Sequence, residues 1–106
     1  MKLLLVCSRN QWRSRTAEEI FKNHPVYDVR SAGTEPSARI RVSEKLVNWA
    51  DYIFVMEKKH KQRLLTRFPN GSHAPKIEIL HILDDYPFMD EELIELLQNA
   101  MEDFFE

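Results

Sequence analysis

Four apolar residues, Leu3-Leu4-Leu5-Val6, run straight into a polar stretch, Cys7-Ser8-Arg9-Asn10-Gln11-Trp12-Arg13-Ser14, and this junction constrains the fold more than any other segment. A short apolar run bounded by polar residues suits a strand buried on both faces, as in parallel sheets covered by helices. Lys2 to Val6 is therefore expected to be a first strand. From Ser14 the period changes: Ala17, Ile20 and Phe21 recur at helical spacing, with Ser14 or Thr16 as the expected cap. Pro25 should stop that helix near His24.

The alternation continues. Tyr27 to Arg30 reads as a second strand, Ser31-Ala32-Gly33-Thr34 as the turn leaving it, and Glu35 to Val42 as a loop. Ser43 caps a short helix to Trp49, with Leu46, Val47 and Trp49 as its apolar face. Tyr52 to Met56 is a third strand, followed by a helix from Glu57 to Phe68 that Pro69-Asn70-Gly71-Ser72 should break. Ile77 to Ile82 is a fourth strand. Asp90 caps a last helix whose buried stripe is Leu93, Leu96, Leu97, Met101 and Phe104. Strands alternating with helices imply right-handed crossovers, hence a three-layer α/β/α domain with a four-stranded parallel sheet. Ligands in such sheets bind beyond the carboxyl ends of the strands, which points to the turns after Val6, Arg30, Met56 and Ile82.

A chain of 106 residues suits a single domain over residues 1–106. One cysteine allows no internal disulfide, in keeping with a reducing compartment, and no cysteine-based metal cluster. The opening apolar stretch is too short for a signal peptide and runs into polar residues without a cleavage site. No run approaches the roughly 20 apolar residues that span a bilayer, so a cytoplasmic protein with no membrane partner is expected. Charge is uneven: residues 1–83 hold all fifteen lysines and arginines beside eight acids, whereas residues 84–106 hold nine acids and no base. A solvated acidic helix explains this; attraction of an anionic substrate by the basic part is the sharper reading.

The turn after the first strand carries the chemistry. Five residues separate Cys7 from Arg13, and Ser14 follows. A loop of that length can curl so that successive backbone N–H groups point inward as an anion-binding nest. The helix behind it adds unpaired N–H groups and a positive dipole end. Arg13 supplies a planar fork for two phosphate oxygens. The same positive field favours a thiolate at Cys7, which could attack phosphorus and form a phosphocysteine intermediate, with Ser14 donating to the sulfur as it leaves. The competing reading of Cys7 is a small buried residue at a strand end.

These residues resemble the low-molecular-weight protein tyrosine phosphatases, whose phosphate-binding loop reads C-x-G-N-x-C-R-S-P. The resemblance runs from Leu4 to Ile20 and continues in Ser31-Ala32-Gly33-Thr34, Ala38-Arg39, Asp51-Tyr52-Ile53, Met56-Glu57 and Lys76-Ile77-Glu78-Ile79-Leu80. It is strongest to a compact bacterial branch of predicted tyrosine phosphatases. It implies a hydrolase of phosphomonoesters, phosphotyrosine above all, with Ser8, Arg9, Asn10, Gln11, Trp12, Arg13 and Ser14 binding phosphate and no cofactor or metal. Partners would be a phosphorylated protein or small phosphomonoester, with phosphate or sulfate fitting the same loop. In the family an aspartate protonates the leaving oxygen; the matching stretch is Leu83-Asp84-Asp85-Tyr86-Pro87, where Asp84 fits best and Asp85 is the alternative acid. Tyr86 and Phe88 are candidate pocket walls.

The match has gaps. Arg9 stands at the family's loop glycine, where a positive φ would strain it. Trp12 replaces the second loop cysteine, and Arg15 the proline. The histidine that supports the loop in larger members has no evident counterpart, since His24, His60, His73 and His81 read as surface or core positions. A non-catalytic phosphate- or phosphopeptide-binding module is the alternative, and a single-cysteine arsenate reductase a more distant one. Lys58, Lys59, Lys61, Arg63 and Arg67 could form a nucleic-acid surface, but a solvated helix face accounts for them, so no nucleic acid is expected. The sequence leaves a homodimer open.

Overall fold

The apolar run that opens the chain is the inner strand on which the molecule is built. The computed structural model describes residues 1–69 and 76–105. Strands β1 (Lys2–Cys7), β2 (Asp28–Gly33), β3 (Tyr52–Val55) and β4 (Lys76–Ile79) alternate with helices α1 (Arg13–Phe21), α2 (Glu44–Trp49), α3 (Lys58–Arg67) and α4 (Glu91–Phe105). All strand pairs are parallel, in the order β2-β1-β3-β4.

The side chains of β1 alternate between two cores because successive residues of a strand face opposite ways. Leu3, Leu5 and Cys7 pack with Ala17 of α1 and with Leu93, Leu97 and Met101 of α4. Leu4 and Val6 pack on the other side with Val47 of α2 and Leu64 of α3. Two helices therefore cover each face, giving the expected three layers. Leu3 to Val6 have no exposed surface; each such burial stabilises the fold by about 1.5–3 kcal/mol.

Several boundaries differ from the sequence reading. Ser31-Ala32-Gly33 is not a turn: β2 continues through it, in register with Leu5, Val6 and Cys7. Ser31 and Ala32 are buried against β1, and that tertiary pairing overrides the local turn signal. Gly33 is needed for close approach, since a Cβ there would lie 2.6 Å from the Ser8 carbonyl oxygen. At the other edge, β4 ends at Ile79 rather than Ile82, because His81 takes a left-handed φ of 59° that breaks the pleat. Backbone bonds from Leu80 N to Val55 O and from Ile82 N to Met56 O still hold this segment against the sheet.

Helix α1 starts at Arg13 and ends at Phe21, short of His24. Neither Ser14 nor Thr16 caps it: Trp12 occupies the cap position without a side-chain bond. The two hydroxyls are used elsewhere, Ser14 beside Cys7 and Thr16 as acceptor for Met89 N. Ser43 does cap α2 by accepting from Leu46 N, and Asp90 accepts from Glu92 N and Leu93 N at the start of α4. Leu96 is exposed and leaves the α4 stripe, which consists of Leu93, Leu97, Met101 and half-buried Phe104. Helix α3 ends at Arg67; the break expected at Pro69-Asn70-Gly71-Ser72 lies, from Asn70 onward, outside the described residues. Among the described residues no helix is long and apolar enough to cross a membrane.

Candidate active site

Strand β1 delivers Cys7 to the carboxyl edge of the sheet, and α1 begins six residues later. The loop between them is shaped by what its carbonyls bind. Thr34 N donates to Cys7 O at 3.0 Å, Glu35 N to Ser8 O at 2.9 Å, and Arg39 N to Arg9 O at 2.9 Å. Arg39 Nε donates to Asn10 O at 3.0 Å. Four successive carbonyls are thus drawn toward the segment after β2. In a trans peptide the N–H points opposite to its C=O, so the intervening amides are turned the other way, toward the sulfur side. Asn10 N shows the result, lying 3.3 Å from Cys7 Sγ. One backbone amide is thus aimed at the sulfur, as an anion nest would require.

The left-handed turn of the loop falls on Asn10, with φ of 56°. Arg9 does not have a positive φ, so the strain expected from arginine at the glycine position is not present. Asn tolerates the left-handed region because its short polar side chain bonds locally. Here Asn10 Nδ2 donates to Ser14 Oγ at 2.7 Å, and the residue is fully buried.

Ser14 Oγ lies 3.0 Å from Cys7 Sγ and 3.2 Å from Ala32 O. A hydroxyl has one proton to give. With Cys7 as a thiol, the S–H can donate to Ser14 while Ser14 donates to Ala32 O. With Cys7 as a thiolate, Ser14 turns its proton to the sulfur and Asn10 Nδ2 still satisfies its oxygen. The site accommodates both forms without moving a heavy atom.

Arg13 is 1% exposed. Its NH1 donates to Glu57 Oε2 at 2.6 Å and to Ile82 O at 2.8 Å. Its Nε is buried with no hydrogen-bond partner among the described residues and lies 3.6 Å from Asp84 Oδ1. One side of the guanidinium is anchored, and a donor on the other side is unused beside the cavity. Burial opposes ionisation of Glu57, but the hydrogen bond and charge of Arg13, helped by Lys59 and His60, outweigh it and hold the carboxyl below its usual range.

His60 corrects the sequence reading, which placed it among incidental histidines. It is fully buried, with Nε2 2.9 Å from Ser8 Oγ and Nδ1 accepting from Glu57 N at 3.0 Å. Because Nδ1 accepts, Nε2 carries the proton and donates to the loop serine. Burial, followed by the charge of Arg13, pushes its pKa from 6.5 to about 4, against the opposing effect of Glu57. The reciprocal cap between Glu57 and His60 at the start of α3 was the available signal in the sequence; the link to Ser8 is tertiary. Of the other histidines, His24 stacks on Phe105, His81 is exposed, and His73 lies outside the described residues.

A small cavity of about 40 Å³ opens over the sulfur, lined by Cys7, Ser8, Arg9, Gln11, Trp12, Arg13 and Asp84. A water needs roughly 10–15 Å³ measured this way, so the space suits a few oxygen atoms of a small anion. Asn10 and Ser14 lie behind it. Asp84, 54% exposed, reaches the cavity, and Asp85 is not among its lining residues. Tyr86 and Phe88, the expected pocket walls, do not line it either. Tyr86 packs against the core with its hydroxyl 3.5 Å from Glu92 Oε1, and the Phe88 ring lies 4.3 Å from the Arg15 guanidinium. The aromatic wall is Trp12, 45% exposed.

No family model matches the sequence, and no characterised protein matches it in sequence. Solved structures do match in fold. The tyrosine phosphatase Wzb from Escherichia coli K30, in complex with phosphate, superposes with a TM-score of 0.78 at 21% identity, covering 97% of this chain and 94% of that one. The low molecular weight protein tyrosine phosphatase SP-PTP from Streptococcus pyogenes gives 0.76 at 18% identity, covering 98% and 90%. The arginine phosphatase YwlE from Geobacillus stearothermophilus gives 0.73 at 21% identity, covering 98% and 92%. The chain therefore has the fold of these phosphatases along almost its whole length.

Proposed function

We propose that this protein is a cysteine-dependent phosphatase that hydrolyses phosphomonoesters, phosphotyrosine first among them, through a phosphocysteine intermediate. The observation that carries the reading is the environment of one atom. Cys7 Sγ sits between a backbone N–H at 3.3 Å and the Ser14 hydroxyl at 3.0 Å, at the floor of a cavity that Arg13 and Asp84 also line.

In the first step Cys7 Sγ attacks phosphorus and the ester P–O bond breaks. The departing oxygen takes a proton from Asp84. The loop amides and Arg13 hold the equatorial oxygens, where charge spreads in the transition state. In the second step Asp84, now a carboxylate, takes a proton from water as the water oxygen attacks phosphorus. The P–S bond breaks, and Ser14 donates to the thiolate released. Trp12 offers an exposed indole on which an aryl group can stack. The tyrosine phosphatases and the arginine phosphatase of the same fold support phosphoryl chemistry and differ in the phosphorylated residue. The aromatic wall favours tyrosine here. No cofactor enters the scheme, and a cytoplasmic location suits its free thiol.

The test is steady-state hydrolysis of p-nitrophenyl phosphate and a phosphotyrosine peptide at about pH 6. Cys7→Ser should abolish turnover, and Asp84→Asn should slow the peptide by about 10²-fold, with a smaller effect on the activated nitrophenyl ester. Folded wild type inactive on both substrates would overturn the reading in favour of a phosphate-binding module. A slow Asp85→Asn beside a fast Asp84→Asn would transfer the acid to Asp85.

A further inference from the structure

A second cleft adjoins the first, and its charges run against the electrostatics of the helix that carries them. Lys59, Arg63 and Arg67 of α3 follow one another at i, i+4 and i+8 and line a shallow cleft with Gln62 and Thr66 between them. Arg41 and Thr34, from the connection between β2 and α2, form its other wall. Like charges four residues apart on a helix repel. Lys58 and Lys59 in the first turn oppose the helix dipole, with Glu57 at the cap position as the acid beside them.

Two carboxylates lie near cations of the cleft. Glu35 pairs with Arg63 at 3.2 Å, and Glu57 lies 3.8 Å from Lys59 Nζ but is already engaged by Arg13 at 2.6 Å. Neither Arg41 nor Arg67 has an ion-pair partner among the described residues. The cleft is therefore left with unneutralised positive charge. It is also joined to the phosphate site at two points. Thr34 donates its N–H to Cys7 O at 3.0 Å and lies 3.3 Å from Arg63 NH1, while Lys59 borders the carboxylate that holds Arg13.

We propose that this cleft binds acidic side chains flanking the phosphorylated residue of a protein substrate, so that the enzyme selects phosphorylated sites in acidic sequence. The inference rests on the phosphatase reading above and adds the substrate class. Lys59 to Arg67 spans about 12 Å at 1.5 Å per residue. An extended peptide covers that distance in about four residues. The cleft therefore holds a run of about four residues on one side of the phosphorylated residue. Single-stranded nucleic acid is the weaker occupant, because among the described residues no aromatic side chain lines the cleft to stack a base.

The experiment compares three kinds of substrate: p-nitrophenyl phosphate, phosphotyrosine peptides with four Asp or Glu on one side or the other, and the same peptides with Gln and Asn instead. Wild type should favour one acidic peptide over its neutral form by about tenfold in kcat/KM, mostly through KM, the scale of a few exposed ion pairs. Raising salt should erase the preference. Arg41→Glu/Arg67→Glu should remove it while hydrolysis of p-nitrophenyl phosphate stays unchanged. Equal rates on acidic and neutral peptides, a preference that survives in the double variant, or tighter binding of an RNA oligonucleotide than of the acidic peptide would overturn the proposal. Failure of folded wild type on p-nitrophenyl phosphate and on every peptide would instead remove the phosphatase reading beneath it.

Discussion

The two ends of the sheet are held together by different forces. At the amino end, Phe21, His24, Tyr27, Tyr52, Phe54, Phe104 and Phe105 gather where α1 and α4 finish, with ring centroids 4.8–6.2 Å apart. At the carboxyl end, Asn10, Arg13, Ser14 and His60 are buried and held by directional hydrogen bonds. Aromatic packing rests mainly on the large apolar area each ring buries. A buried polar network depends on each member, since one lost partner leaves another unsatisfied at a cost. The amino end should thus carry stability with little influence on chemistry, and the carboxyl end should couple the two.

The largest effect that probes this contrast is expected at Arg13. Arg13→Lys keeps a charge but loses the fork. It cannot hold Glu57, Ile82 O and a substrate oxygen at once. Steady-state kinetics should show kcat/KM falling about 10³-fold, together with a lower melting temperature because Glu57 loses its partner. A loss below tenfold would mean that the guanidinium geometry is not what binds phosphate.

At the opposite end, Phe104→Ala removes a ring that meets Tyr27, Tyr52, Phe54 and Phe105. Urea unfolding should report a destabilisation of about 3 kcal/mol, while the folded fraction retains kcat/KM within about twofold. A large loss of activity in folded Phe104→Ala would break the separation of the two ends.

The effect that is spread most widely, over several pH units, is in pH dependence. His60 has a folded pKa of about 4 against 6.5 unfolded. The unfolded chain therefore takes up the proton first, and stability is complete above about pH 6.5 and lost as pH falls toward 4. The full loss is up to about 3 kcal/mol. Glu57, held below its usual range, adds loss in the same direction at the acid end of that window. Unfolding measured from pH 7 to 4 should show this slope in wild type and a flatter one in His60→Asn.

The legible parts of the molecule were those in which local pattern and tertiary environment agree. The apolar run from Leu3 to Val6, the Ser43 and Asp90 caps, and the spacing from Cys7 to Arg13 each encode their structure within a few residues. Ser31 to Gly33 looked like a turn because its residue types favour one, yet pairing with β1 keeps it extended. Ser14 looked like a cap, but its hydroxyl is drawn to the sulfur. Glu57 and His60 were hidden for another reason. They lie more than forty positions from the loop they support, and only the fold brings Glu57 to Arg13 and His60 to Ser8. Trp12 was visible in the sequence, but its role as the aromatic wall depends on the position of Tyr86 and Phe88 outside the cavity.

The central claim is that phosphoryl groups pass through one sulfur. Wild type turning over a phosphotyrosine peptide, quenched in acid and mapped by mass spectrometry, tests it most directly. The account predicts one added phosphoryl group on the peptide containing Cys7, and none in Cys7→Ala. Steady turnover with Cys7 unmodified, or turnover that persists in Cys7→Ala, would contradict it.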